Sequence, residues 1–328
     1  MSISTNCPKI SIAPMMDWTD RHCRFFLRLL SPGARLYTEM ITAAALVRGD
    51  AEKLLQFDAA EHPVALQVGG SDPKMMADAA ALGAEAGYDE ININVGCPSD
   101  RVQSGAFGAC LMSSPGIVAD CYREMSSAVE VPVTVKTRIG IDDHDSYEFL
   151  MEFVQALQAA GCTTLIVHAR IAILEGLSPK DNRSVPPLDY ARVYKLKRDF
   201  PDLDVVLNGG IATTEQALAH LAHVDGVMIG RKAYHQPYFL AELERALAGH
   251  EHWQAPSRNE IIELMIPYIE RQLSRGVALH SITRHLLGLF AGQPGARAWR
   301  RHLSENAHRP GAGIEVMHAA LERLAKAT

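Results

Sequence analysis

The chain has no CxxC pair, no G-x-G-x-x-G after its first strand-like run, and no apolar run of membrane-spanning length. Six cysteines (Cys7, Cys23, Cys97, Cys110, Cys121 and Cys162) are scattered over 328 residues. That scatter speaks against a disulfide framework, and the missing CxxC speaks against a structural zinc site, so no metal is expected. Reduced thiols in a cytoplasmic protein are the simplest account. The stretch Met1 to Pro8 lacks the basic and apolar segments of a secretory leader, and no membrane association is expected. The missing glycine fingerprint weighs against an open dinucleotide-binding sheet. An excess of positive charge is also lacking, since the net charge is −6.

That charge is unevenly spread. From Trp253 onward the chain carries +4, and the part before it carries −10. Nine of the ten cations in the later segment are arginine, the side chain that best matches phosphate. Such asymmetry suggests a polyanionic partner for the basic segment. Hydrophobic residues make up 48% and charged residues 21%, the composition of an ordinary globular protein. The length suffices for one large α/β barrel and a small further domain.

Eight short strand-like runs recur: 10–15, 34–40, 64–70, 90–97, 131–138, 164–170, 205–211 and 226–231. Ala-rich amphipathic stretches such as Pro73 to Ala86 and Tyr147 to Ala160 lie between them. Eight β units alternating with helices predict a (β/α)8 TIM barrel over 1–245. A linker near 249–256 and helices at Asn259–Arg275, Ser281–Leu289 and Glu315–Ala327 predict a helical domain over 253–328.

Polar residues gather at the C-terminal ends of the strands, where a barrel places its active site. They are Gln67, Asn94, Cys97, Lys136, Arg138, His168, Arg170, Asn208 and Arg231. Cys97 stands between Gly96 and Pro98, two breakers that end its strand. Most free cysteines are small buried apolar residues, but a thiol at a strand mouth among convergent polar groups reads as catalytic. Asn208-Gly209-Gly210 and Gly230-Arg231 follow the last two strands and suit a phosphate, as glycines admit close backbone approach. The proline-rich loop 175–188 carries Lys180 and Arg183, and long loops at a barrel mouth are usually functional. His144 with Asp142, Asp143 and Asp145 imitates a metal cluster, but it reads better as a helix start capped by Ser146. Arg297, Arg300 and Arg301 share one helical face suited to a sugar-phosphate backbone.

Taken together, Ala13-Pro14-Met15, Asn94-Val95-Gly96-Cys97-Pro98, Lys136-Thr137-Arg138, His168-Ala169-Arg170, Asn208-Gly209-Gly210-Ile211 and Gly230-Arg231 resemble the tRNA-dihydrouridine synthases. The stretches 15–22, 99–105 and 298–301 look like the bacterial A type, which acts on uridines 20 and 20a of the D-loop. The resemblance implies FMN-dependent reduction of the uracil 5,6 double bond in tRNA, with NADPH as reductant. It implies that Pro14, Met15 and Met16 contact the flavin and that Gln67, Lys136 and His168 hydrogen-bond it. Asn208, Gly209, Gly210, Gly230 and Arg231 would hold its phosphate. Asn94 would orient the uracil and Cys97 would donate a proton. Lys180, Arg183, Arg297 and Arg300 would contact tRNA. A thiol with an ordinary pKa of about 8.5 is mostly protonated at neutral pH and suits that role. The target base must leave its stack to be reached. Two alternatives are an FMN barrel acting on a free small molecule and a non-catalytic RNA-binding barrel. A monomer is expected.

Overall fold

The computed structural model describes residues 7–99, 102–103, 105–248 and 253–326. Nine parallel strands form one sheet: β1 (Ile10–Ile12), β2 (Leu36–Tyr37), β3 (Ile41–Thr42), β4 (Val64–Gly69), β5 (Glu90–Val95), β6 (Val133–Arg138), β7 (Thr164–His168), β8 (Asp204–Asn208) and β9 (Gly226–Ile229). Their order is β1-β9-β8-β7-β6-β5-β4-β2, with β3 as a short addition to β4. A bridge between Ser11 and Arg35 joins the two ends of that order. There Ile12 N–H donates to Arg35 O at 2.9 Å, and Arg35 N–H donates to Ile10 O at 3.0 Å. Eight strands therefore close into the (β/α)8 barrel that the alternating runs predict.

The connecting helices start where the sequence supplies an acceptor for their first amides. Asp72 caps Pro73–Glu85, Ser146 caps Tyr147–Ala159, Asp189 caps Tyr190–Asp199, and Thr213 forms a capping box on Thr214–Leu221. Ser146 thus does what the sequence assigned to it. Tyr37, Ala65, Ile166, Val206 and Met228 fill the barrel interior with Ala13, and the partly buried Met15 packs against them.

β5 departs from that apolar filling. Ile91 faces outward, and a Cβ placed on Gly83 of the Pro73–Glu85 helix would lie 2.8 Å from it. Glu90, Asn92 and Asn94 alternate with the isoleucines, and each bonds a side chain on a neighbouring strand. All three are nevertheless buried, at 4%, 0% and 7% exposure. The polar face of this strand is therefore inside the barrel.

Two compact units emerge. The first comprises residues 1–16 and 34–230, and the second 17–33 and 231–328. The expected boundaries at 245 and 253 differ from these, because Arg21–Leu30 packs with the later helices. Asp20 caps that helix and receives Arg284 Nη2 at 2.7 Å and His285 Nε2 at 3.0 Å. Burial by itself would raise the Asp20 carboxyl. The hydrogen bond and charge of His285, with Cys23 N–H and Arg284, hold it well below the usual range instead. Ser31 donates to Glu244, and His22 Nδ1 lies 2.7 Å from the Tyr268 hydroxyl.

The second unit is helical: Arg231–His235, Tyr238–Ala248, Arg258–Ser274, Leu279–Thr283, Ala296–Asn306 and Glu315–Lys326 join Arg21–Leu30. The helix expected over Ser281–Leu289 stops at Thr283 and gives way to turns. Gly288 lies against the His235 carbonyl, which a Cβ there would approach to 2.4 Å. The first half of the expected linker, 249–252, falls outside the described residues.

Candidate active site

The site is built on the C-terminal ends of β4 to β9. Register pairs Gln67 with Asn92, Asn94 with Lys136, Arg138 with His168, and His168 with Asn208. Adjacent strands thus place the predicted polar residues side by side.

Cys97 follows β5 and is half-buried. Its backbone is held on both sides. Asn94 Oδ1 accepts from Gly96 N–H at 3.2 Å and from Cys97 N–H at 3.1 Å, and Cys97 O accepts from Ala109 N–H at 2.9 Å. The thiol lies 3.5 Å from the Ser99 hydroxyl. Gln103 Nε2 donates to Pro98 O and to Leu174 O, both at 2.9 Å, so it ties the cysteine loop to the loop after β7.

Around this thiol the charges are of one sign. Burial, and then the Arg138 charge, lower the Lys136 ammonium to about 7, against a smaller opposing influence of Cys97. Burial followed by Arg138, Lys136, Arg170 and Arg183 lowers His168 well below its usual value, so its ring is neutral. Burial likewise lowers Arg138 to about 10, which leaves it cationic at neutral pH. His168 Nδ1 is buried without a hydrogen-bond partner among the described residues. A cluster of cationic side chains beside an orphaned buried ring nitrogen fits an anionic ligand that also hydrogen-bonds.

A pH dependence follows. An anion prefers the protonated lysine, so a bound anion raises the Lys136 pKa above about 7. Affinity for such an anion is expected to fall as pH rises through 7, by at most about tenfold per unit, since one proton is linked. Titrating FMN fluorescence between pH 6 and 9 with the wild type and Lys136→Met measures it. The same slope in both proteins would clear Lys136 of the effect.

Gly209 and Gly210 have φ of 117° and 72°, which β-carbon-bearing residues rarely adopt. A Cβ on Gly209 would come within 3.2 Å of the His168 ring, and one on Gly210 within 2.5 Å of Leu188 and the Tyr190 hydroxyl. Tyr190 in turn donates to Gly209 O at 2.9 Å. Asn208 donates one amide hydrogen to Met228 O at 2.8 Å and so ties β8 to β9, leaving its oxygen and its second amide hydrogen for other work. Gly230 ends β9 beside Ala13.

These features describe a family-scale arrangement, and sequence comparison identifies it. The model of the family described as dihydrouridine synthase matches residues 11–325. The chain belongs to the dihydrouridine synthase family. It is 57% identical to the tRNA-dihydrouridine(20/20a) synthase of Vibrio cholerae over 98% of each chain. It is 58% identical to the protein of that name from Shewanella oneidensis over 95% of this chain and 92% of the other. Against the Escherichia coli K12 protein it is 58% identical over 97% and 92%.

Within this family member the remaining predicted residues fall as follows. Pro14 and Met15 are partly buried after β1, and Met16 is 55% exposed. Arg231 is exposed and opens the Arg231–His235 helix of the second unit. Lys180 and Arg183 are exposed at the ends of one 3-10 turn, Asp181–Arg183. Arg297, Arg300 and Arg301 form the solvent face of Ala296–Asn306, while Trp299, His302 and Leu303 form its buried face. Beside them is an open groove of about 740 Å³, lined by Arg297, Arg301, Arg323, Lys326 and His302. Its one carboxylate, Glu305, is engaged by Arg301 at 2.8 Å. Among the described residues no group of His, Cys, Asp or Glu could hold a metal ion, and no helix is long and apolar enough to cross a membrane.

Sequence reasoning missed the roles of three residues. Arg138 was left unassigned; it donates to Gly96 O, Ile171 O and Asn182 O at 2.9, 2.9 and 3.0 Å. Asn182 is fully buried and holds the loop after β7 by bonding Ile173 N–H and O at 2.7 Å each. Glu90 lies beneath the site. A buried Asn in a proline-rich loop was the one available signal for Asn182, and nothing local marked the partners of the other two.

Proposed function

We propose that this protein reduces uridines 20 and 20a in the D-loop of tRNA to 5,6-dihydrouridine. The observation that most directly supports this is a half-buried thiol held at the mouth of β5 beside a cluster of cationic side chains. The names of the relatives supply the substrate. Pro14, Met15, Met16, Gln67, Lys136, His168, Asn208, Gly209, Gly210 and Gly230 would hold FMN, and the cluster's charge matches its phosphate. The group held there, reduced by NADPH, supplies a hydride for C6 of uracil.

The chain's own residues do the rest. Cys97 holds the proton that C5 requires, so hydride and proton together saturate the double bond. The thiolate left on Sγ regains its proton from solvent. Asn94 offers the uracil an amide hydrogen that its other bonds leave unused. Lys180 and Arg183 on the first unit, and Arg297 and Arg300 on the second, contact the RNA backbone. Arginine suits that positioning role because its fork matches phosphate oxygens. A tRNA substrate places the enzyme in the cytoplasm.

An anaerobic absorption experiment tests the whole reading. The purified protein should be yellow, NADPH should bleach it, and tRNA lacking dihydrouridine should restore the colour. Recolouring by free pyrimidines but not by tRNA would move the activity to a small-molecule substrate. A colourless protein that binds tRNA would remove the catalytic reading altogether.

A further inference from the structure

A file of buried side chains runs up the barrel interior from Glu90 to the Cys97 loop. Glu90 Oε1 accepts from the Tyr37 and Thr134 hydroxyls, each at 2.6 Å, and Oε2 accepts from Arg35 Nη1 at 2.9 Å. Asn92 Nδ2 donates to Thr134 Oγ1, Gln67 Nε2 donates to Asn92 Oδ1, and Asn94 Nδ2 donates to Gln67 Oε1, each at 2.8 Å. Asn94 Oδ1 then receives the amides of Gly96 and Cys97.

An isolated Asn or Gln amide can flip, since its oxygen and nitrogen are nearly the same size. Here none can. At the lower end every neighbour of Glu90 donates, so the one hydrogen of Thr134 goes to the carboxylate. Thr134 Oγ1 is then an acceptor, and Asn92 must offer it nitrogen. That turns Asn92 oxygen toward Gln67, and Gln67 oxygen toward Asn94. At the upper end two backbone N–H groups, which only donate, require the Asn94 oxygen. Reversing any one amide would set donor against donor and acceptor against acceptor in a buried place, where each lost partner is costly.

We propose that Glu90, Thr134 and Asn92 are positioning residues, which impose one hydrogen-bond direction on Gln67 and Asn94 and so hold the Cys97 loop. Gln67 Nε2 and Asn94 Nδ2 each retain one hydrogen. A ligand group meeting either hydrogen would be an acceptor, such as a carbonyl oxygen or an unprotonated ring nitrogen. As the positioning account of Cys97 chemistry, the proposal rests on the function proposed above. The direction of the chain itself does not.

Thr134→Val and Thr134→Ser on the full-length protein provide the test. Valine keeps the shape and removes the acceptor for Asn92; serine keeps the hydroxyl. With valine, alkylation of Cys97 by iodoacetamide, followed by peptide mass, should speed up about tenfold, and serine should stay within about twofold of wild type. In the flavin-loaded enzyme, valine should lower kcat for tRNA about tenfold with KM little changed, and serine should restore it. Asn92→Leu, which cuts the file between Thr134 and Gln67, should repeat the valine result and serves if valine fails to fold. Wild-type alkylation and turnover in both Thr134→Val and Asn92→Leu would overturn the proposal. Equal losses with valine and serine would also overturn it, because packing would then be the cause. Alkylation needs neither flavin nor RNA, so it reads the chain's direction even if the tRNA reaction is absent.

Discussion

Cys97→Ala is expected to slow tRNA reduction by about 10²- to 10⁴-fold, the usual contribution of a positioned general acid. Flavin retention and NADPH bleaching should be close to wild type, since the alanine leaves the cationic cluster and both glycines in place. The loop should also persist, because Asn94 holds it through backbone amides rather than through the thiol. Cys97→Ser should be nearly as slow, as a hydroxyl gives up its proton far less readily than a thiol. The measurement is single-turnover reoxidation of the reduced enzyme by unmodified tRNA. If either variant reoxidises at the wild-type rate, Cys97 is not the proton donor.

Arg138→Met should have the largest structural effect in the first unit. The guanidinium joins three segments through the Gly96, Ile171 and Asn182 carbonyls, and it is only 4% exposed. Methionine replaces much of the volume and leaves three carbonyls without their donor. Each such loss costs on the order of 1–3 kcal/mol, so a destabilisation of at least about 3 kcal/mol is expected in urea unfolding. Arg138→Lys should not rescue it. A single ammonium on a flexible stem does not reproduce the planar fork that reaches three acceptors. Wild-type stability in the lysine variant would reduce Arg138 to a source of charge. Burial holds Arg138 at about 10, so the wild type should keep these bonds throughout the neutral range.

Part of this was legible in the sequence because it is local. Strand alternation, helix caps and the glycines at 209–210 depend on residues a few positions apart. The position of a polar residue at a strand's C-terminal end is enough, in a barrel, to place it at the mouth. Lys136, His168, Asn208 and Cys97 are placed at the mouth in that way. The exposed face of Arg297, Arg300 and Arg301 follows equally from helical spacing.

Other features depend on which distant residues meet. Alternation along Glu90–Val95 separates two faces but does not say which one is enclosed, as the barrel strand is buried on both sides. Glu90 is tolerated inside because Arg35 pairs with it and because Tyr37, 53 positions earlier, and Thr134, 44 positions later, both donate to it. Arg138 finds Asn182 44 positions away. Asp20 finds His285 265 positions away, which moves the first helix out of the barrel unit. The sequence by itself determined the barrel, its polar rim and the thiol at its mouth, because short-range periodicity and turn chemistry encode them. Only the tertiary structure decided how buried polar groups are satisfied, because hydrogen-bond partners are set by chain closure, and no local pattern records it.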